Sequence, residues 1–177
     1  MTKIVVVSGN PRPASRTSAL AIALGSALAE APVAIEAPVV IEAPAVIEAP
    51  AVIEVGALGA GLLTPGDPAT AAALDQIRSA DLLVVATPTY KGSYTGVLKV
   101  LLDQLPSAAL AGKRAVPVVT AGIAPQAAAA EALLRQLLTE LGAEVRPGLP
   151  VTEADLPSSE ALITAYAQDF HSHVTAG

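Results

Sequence analysis

The sequence predicts an α/β fold in one domain, residues 1–177: a five-stranded parallel sheet with helices on both faces. Three observations predict it. Short apolar runs without polar alternation recur along the chain, as in parallel strands buried on both sides. Segments with apolar residues at helical spacing separate those runs. The two most polar turns follow the first and third runs, where open parallel sheets bind ligands.

Ile4-Val5-Val6-Val7 anchors the first strand, residues 3–7. A polar turn, 8–18, leads into a helix over 17–29 with Leu20, Leu24 and Leu28 on one face. Residues 30–53 then repeat the unit E-A-P-[AV]-[AV]-I from Glu30, Glu36, Glu42 and Glu48. The even period puts Ile35, Ile41, Ile47 and Ile53 on one side of an extended chain and the glutamates on the other. A proline in every unit forbids a helix and discourages a central strand. The repeat reads as a low-complexity insertion, a loop or an apolar-faced arm. Val52 to Val55 completes the second strand, and Gly56 to Gly66 forms a Gly-rich loop. Asp67 caps the next helix, 68–79, with Pro68 at its first position. The third strand is apolar from Leu82 to Ala86, and a turn over 88–96 opens a helix carrying Val97, Leu98, Leu101, Leu102 and Leu105. Residues 113–119 supply a fourth strand, with 120–122 as its exit turn. Pro125 opens an Ala/Leu-rich helix ending near Leu141-Gly142. Ala143 to Val151 holds a short fifth strand, and Ser158 or Ser159 caps a last helix with Ile163, Tyr166, Phe170 and Val174.

Composition narrows the function. The chain is 53% hydrophobic but 2% aromatic, so its core is built from Ala, Val, Leu and Ile. The absence of Cys excludes a thiol nucleophile, a disulfide framework and an iron–sulfur cluster. A net charge of −6 disfavours nucleic acid as a partner, and an anionic cofactor must be drawn in by local positive groups. No signal-like opening and no long apolar run occur, so a cytoplasmic location away from membranes is expected. His171-x-His173 is a poor metal pair, because neighbours two apart on a helix do not share a face. With no other His, a hydrolytic triad is not expected.

Chemistry concentrates in the two polar turns. In the first, Gly9 lets the backbone approach a ligand. Ser8, Asn10, Ser15, Thr17 and Ser18 offer short polar groups, and Arg12 and Arg16 offer charge, at the positive end of a helix. That set suits a phosphate. Neither G-x-x-x-x-G-K-[ST] nor G-x-G-x-x-G is present, which argues against a nucleotide triphosphatase and the dinucleotide fingerprint. Alone, the turn reads equally well as a capped βα loop. Five strands at this length suggest the flavodoxin-like order 2-1-3-4-5, which sets this turn beside the second one and favours the phosphate. In the second turn, Pro88 stiffens the chain, and the backbone of Thr89 to Gly92 can meet the polar edge of a flat ring. Tyr90 can stack on that ring, and Lys91 either pairs with an anionic ligand or is solvated. Two of the three tyrosines fall within this turn. The exit turn of the fourth strand, Thr120 to Gly122, lies alongside.

At these residues the chain resembles the NADPH-dependent FMN reductase family, in particular the branch that supplies reduced flavin to alkanesulfonate monooxygenases. The matching stretches are S-G-N-P-R-P-A-S-R-T-S at 8–18, A-T-P-T-Y-K-G-S-Y-T-G-V-L-K-V-L-L-D at 86–103 and L-A-G-K-R-A-V-P-V-V-T-A-G at 110–122. The resemblance implies a flavodoxin-like three-layer fold with FMN where strands one and three end. It implies that Asn10, Arg12, Ser15, Arg16 and Thr17 hold the FMN phosphate, with Ser8 also among the cofactor-binding residues. By the same likeness Pro88, Thr89, Tyr90, Lys91 and Gly92 contact the isoalloxazine ring, and Thr120 and Gly122 border it. Hydride passes from NADPH to FMN without a side-chain acid or base, so no catalytic residue is expected. Arg12, Lys91, Lys113 and Arg114 are the cations available to a 2′-phosphate. The Ala-rich helix 125–141 has few charges, so a homodimer or homotetramer is expected, and the resemblance implies a flavin-dependent monooxygenase as a partner. The chain departs from the family in having Asn10 where Ser is usual and in the repeat, and from the sulfonate-linked branch in a helix 125–141 without an inserted aromatic. A reductase that keeps its FMN and reduces quinones, azo dyes or metal oxyanions therefore stands beside the diffusible-flavin reading. So do an electron carrier and an assembly module built on the repeat.

Overall fold

The computed structural model describes residues 2–30 and 49–174. Six strands and five helices alternate: β1 (Ile4–Ser8), α1 (Arg16–Ala29), β2 (Ala51–Glu54), α2 (Pro68–Ser79), β3 (Leu82–Pro88), α3 (Gly96–Leu102), β4 (Arg114–Ala121), α4 (Ala124–Glu140), β5 (Glu144–Val145), β6 (Leu149–Thr152) and α5 (Ser159–Val174). The sheet is parallel throughout, in the order β2-β1-β3-β4-β5, with β6 also on β4. This is the predicted 2-1-3-4-5 order. The expectation of a repeat arm falls on 31–48, outside the described residues, apart from its two ends.

The apolar runs are buried on both sides, as parallel strands require. Val5, Val7, Leu83, Val85, Ala115 and Val119 face a core completed by Ile77 of α2, Leu98 and Leu101 of α3, and Leu134 and Leu138 of α4. Ile4, Val6, Leu82, Val84, Val116 and Val118 face Leu20 and Leu24 of α1 and Ile163 and Phe170 of α5. Each fully buried leucine contributes about 1.5–3 kcal/mol of transfer free energy, so the aliphatic core compensates for the scarcity of rings.

Two expectations are refined. The Gly56 to Gly66 loop is mostly a 3-10 segment, Val55–Leu63, broken at Gly59 where φ is 52°. The fifth strand is split into β5 and β6, which pair with opposite ends of β4: Arg114↔Glu144 and Val118↔Leu149. The Arg146 N–H still donates to the Ala115 carbonyl at 2.8 Å, but Pro147 has no N–H for the ladder, and the chain leaves it until Leu149. Side chains take up the freed carbonyls. Arg135 of α4 donates to the Arg146 carbonyl at 3.2 Å, and the Tyr166 hydroxyl of α5 donates to that of Pro147. Among the described residues no helix is long and apolar enough to cross a membrane, and no group of His, Cys, Asp or Glu could hold a metal ion.

Candidate active site

The carboxyl ends of β1, β3 and β4 meet at the point where strand order reverses, and three turns leave them side by side. The Gly9 N–H still donates to the Ala86 carbonyl at 2.7 Å, and a Cβ on Gly9 would lie 2.8 Å from the Cβ of Leu98. Glycine here lets β1 pass tightly against the start of α3. Beyond it, Asn10 is buried, and its Oδ1 accepts from the Arg12 N–H at 2.9 Å. The Asn side chain therefore shapes its own loop. Pro11 to Ala14 is exposed, and Ala14 takes a left-handed φ of 52°.

Ser15 caps α1, its hydroxyl accepting from the Ser18 N–H at 3.1 Å. Among the described residues, the first-turn N–H groups of Arg16 and Thr17 donate to no protein acceptor. They lie at the positive end of a 14-residue helix. The Arg16 guanidinium pairs with Glu153 at 3.3 Å, both side chains being exposed. Arg12 stays exposed on the loop.

The second turn is a tight hairpin. Tyr90 N–H donates to the Ser93 carbonyl at 2.9 Å, and Ser93 N–H returns the bond at 3.3 Å. Lys91 and Gly92 both have positive φ, 53° and 84°, as a type I′ turn demands. Tyr90 is thereby lifted into solvent, 43% exposed. Thr87 accepts from the Thr95 N–H at 3.0 Å, and Thr95 both caps α3 and donates to the Gly9 carbonyl. This chain of bonds fixes the first two turns to each other.

Thr120, expected in the exit turn, is still in β4, which runs to Ala121, and from there it ties the third turn to the other two. Its carbonyl accepts from Thr89 N–H at 2.8 Å, and its hydroxyl bonds that of Thr17 at 2.7 Å. The buried hydroxyls of Ser8 and Thr89 have no partner among the described residues. A Cβ at Gly92 or Gly122 would meet nothing within 4 Å, so the space above both turns is open.

Three residues that the sequence did not single out belong to this neighbourhood. Glu54 reaches the Ser18 hydroxyl and the Ala14 N–H. A Cβ at Gly56 would lie 2.3 Å from the Pro11 carbonyl oxygen, so the chain after β2 presses on the first turn. Glu153 holds Arg16 from beyond β6. Lys113 lies elsewhere, donating to the Ala80 carbonyl at 3.0 Å, and Arg114 stacks 5.9 Å over Phe170. Neither is near the turns, which leaves Arg12, Arg16 and Lys91 as the local cations.

Comparison with known proteins accords with this geometry. The chain is 37% identical over 156 residues to an FMN reductase (NADPH) of Pseudomonas aeruginosa, covering 86% of this chain and 78% of that protein. It is 43% identical over 77 residues to an FMN reductase (NADPH) of Escherichia coli, covering 44% of this chain and 40% of that protein. The aligned stretch thus spans less than half of the Escherichia coli relative. The crystal structure of the apo form of an NADH:FMN oxidoreductase superposes with a TM-score of 0.76 at 29% identity, covering 98% of this chain and 90% of that one. The model of the NADPH-dependent FMN reductases matches residues 2–154, both polar turns included. The chain belongs to the NADPH-dependent FMN reductase family.

Proposed function

We propose that this chain catalyses NAD(P)H-dependent reduction of FMN, with the first turn holding the phosphate and the second holding the ring. The observation that carries the reading is the pairing of unspent first-turn N–H groups on α1 with an open, tyrosine-bearing turn fixed beside them through Thr120. The residues fit the cofactor. The N–H groups of Arg16 and Thr17, the Ser15 hydroxyl and the charges of Arg12 and Arg16 suit a phosphate. The Thr17 hydroxyl serves the Thr120 bond instead, and the Asn10 oxygen serves its own loop. The orphaned Thr89 hydroxyl and the open space over Gly92 and Gly122 suit a planar ring with polar edges.

When bound, FMN supplies the hydride acceptor and the nicotinamide supplies the hydride. The chain's own groups position and polarise. The backbone of the Tyr90–Ser93 hairpin and the exposed Tyr90 side chain would hold the ring. Thr120 keeps phosphate turn and ring turn at a fixed spacing. A flavin-dependent monooxygenase would be the consumer of the reduced flavin, and the few charges of the Ala/Leu-rich α4 support subunit pairing. The test is NADPH consumption by the purified chain with and without added FMN, alongside its flavin absorbance. Consumption that rises with added FMN supports the reading. A chain that neither binds FMN nor oxidises NADPH or NADH refutes it. Sedimentation at micromolar concentration tests the pairing, and a strict monomer overturns it.

A further inference from the structure

Glu54 ends β2, one strand away from Ser8 in register, and its side chain runs under the first turn. Its Oε1 accepts from the Ser18 hydroxyl and from the Ala14 N–H at 3.3 Å. Its Oε2 is buried and has no partner among the described residues. Ser18 lies in the first turn of α1, and Ala14 directly precedes the cap Ser15. One carboxylate therefore already meets the positive end of this helix. Among the described residues no Lys or Arg pairs with it.

We propose that Glu54 is a positioning residue with two opposed effects on FMN: its hydrogen bonds brace the phosphate turn, and its charge limits how tightly the phosphate is held. The inference rests on the placement of the phosphate given above. The brace follows from the bonds: without Oε1, the Ala14 N–H and the Ser18 hydroxyl lose their acceptor, and Ala14 is already in a disfavoured conformation. The repulsion follows from the charges: a phosphate monoester carries about −1.5 to −2 at neutral pH. It would share one helix terminus with a carboxylate that forms no ion pair with Arg12, Arg16 or any other Lys or Arg among the described residues. Riboflavin has the same ring and no phosphate, so it is blind to the second effect. A carboxylate in this place lowers phosphate affinity and speeds flavin release.

The two effects separate by substitution. Glu54→Gln keeps the size and the accepting oxygen and removes the charge; Glu54→Ala removes both. The full-length chain is titrated with FMN and with riboflavin by quenching of flavin fluorescence, and each variant's melting temperature is recorded without flavin. The expected result is an FMN Kd about tenfold lower in Glu54→Gln than in the parent, with the riboflavin Kd unchanged. Glu54→Ala is expected to bind FMN more weakly than Glu54→Gln and to melt earlier. An FMN Kd in Glu54→Gln equal to or above the parent's overturns the repulsion. A parent that prefers FMN to riboflavin while Glu54→Gln gains nothing sinks this inference alone. A parent with no preference for FMN removes the phosphate placement, and this inference with it.

Discussion

Gly56 offers a direct test of the contact between the chain after β2 and the phosphate turn. An added Cβ would sit 2.3 Å from the Pro11 carbonyl oxygen, 2.6 Å from its carbon and 2.7 Å from the Asn10 carbonyl oxygen. All three are backbone atoms, so no side chain can swing aside. Non-bonded carbon contacts settle near 3.5–4.0 Å, so Gly56→Ala must drive the two strands of chain apart by about 1 Å. Overpacking of that kind costs about 1–3 kcal/mol. In a chain of this length each kcal/mol lowers the melting temperature by about 2–4 °C. Displacing a binding turn by about 1 Å also costs up to roughly 100-fold in productive binding, and the FMN Kd is expected to rise at least tenfold. Calorimetry and an FMN titration read both effects. Gly96→Ala is the control: the added Cβ meets nothing within 4 Å at the first position of α3. Its melting temperature should hold or rise slightly. A Gly56→Ala chain with the parent's melting temperature and FMN affinity would show that the two segments do not press on each other.

Glu153→Gln frees Arg16 from an exposed ion pair worth about 0–1 kcal/mol, so the FMN Kd should fall by about two- to fivefold, and Arg16→Ala should raise it. An unchanged Kd in both would remove Arg16 from the phosphate set. Lys91→Gly relieves a left-handed side chain and should stabilise the protein by about 1 kcal/mol, read as a higher urea midpoint. A lower midpoint would contradict the type I′ geometry. Burial, above all, pushes the Tyr166 phenol up to about 12, against an ordinary value near 10. The folded state thus keeps its proton where the unfolded chain has lost it, so this stability is complete below about pH 10 and is lost as pH rises towards 12. The difference between about 12 and the ordinary value near 10 corresponds to about 2.7 kcal/mol, reduced to about 1–2 because the ring is only partly buried. Urea unfolding of the parent should weaken by that amount over this range, while Tyr166→Phe should lack that component of the decline. Equal declines in the two proteins would refute the linkage.

Much of the architecture was legible because its signals are local. Ile4 to Val7 and Leu82 to Ala86 are short continuous apolar runs rich in β-branched residues, which suits a buried parallel strand better than a helix of ordinary length. Asp67-Pro68 announces a helix start through chemistry confined to four residues, and the Asp67 carboxylate does accept from the Thr70 N–H at 2.8 Å. Thr120 beside the second turn was legible through topology alone, whereas its bond to Thr17 of the first turn was not. What escaped the sequence depends on contacts between distant segments. Gly56 looked like one of several loop glycines, and only the approach of Pro11 distinguishes it. Glu54 was camouflaged: it stands six residues after Glu48 and continues the period of the repeat, yet it turns towards Ser18. The split between β5 and β6 left a trace in Pro147, but which side chains would satisfy Arg146 and Pro147 depends on α4 and α5 arriving from opposite faces.

That split has a consequence for how the molecule meets its neighbours. The border formed by β5 and β6 is short and interrupted, and Pro147 and Pro150 offer no N–H to an incoming chain. A foreign strand finds no continuous template there. The opposite border, β2, has no proline between Ala51 and Glu54 and presents Val52 to solvent. Among the described residues, strand-by-strand growth of this protein into larger aggregates therefore finds its template at the β2 margin, the one into which the glutamate-proline repeat feeds.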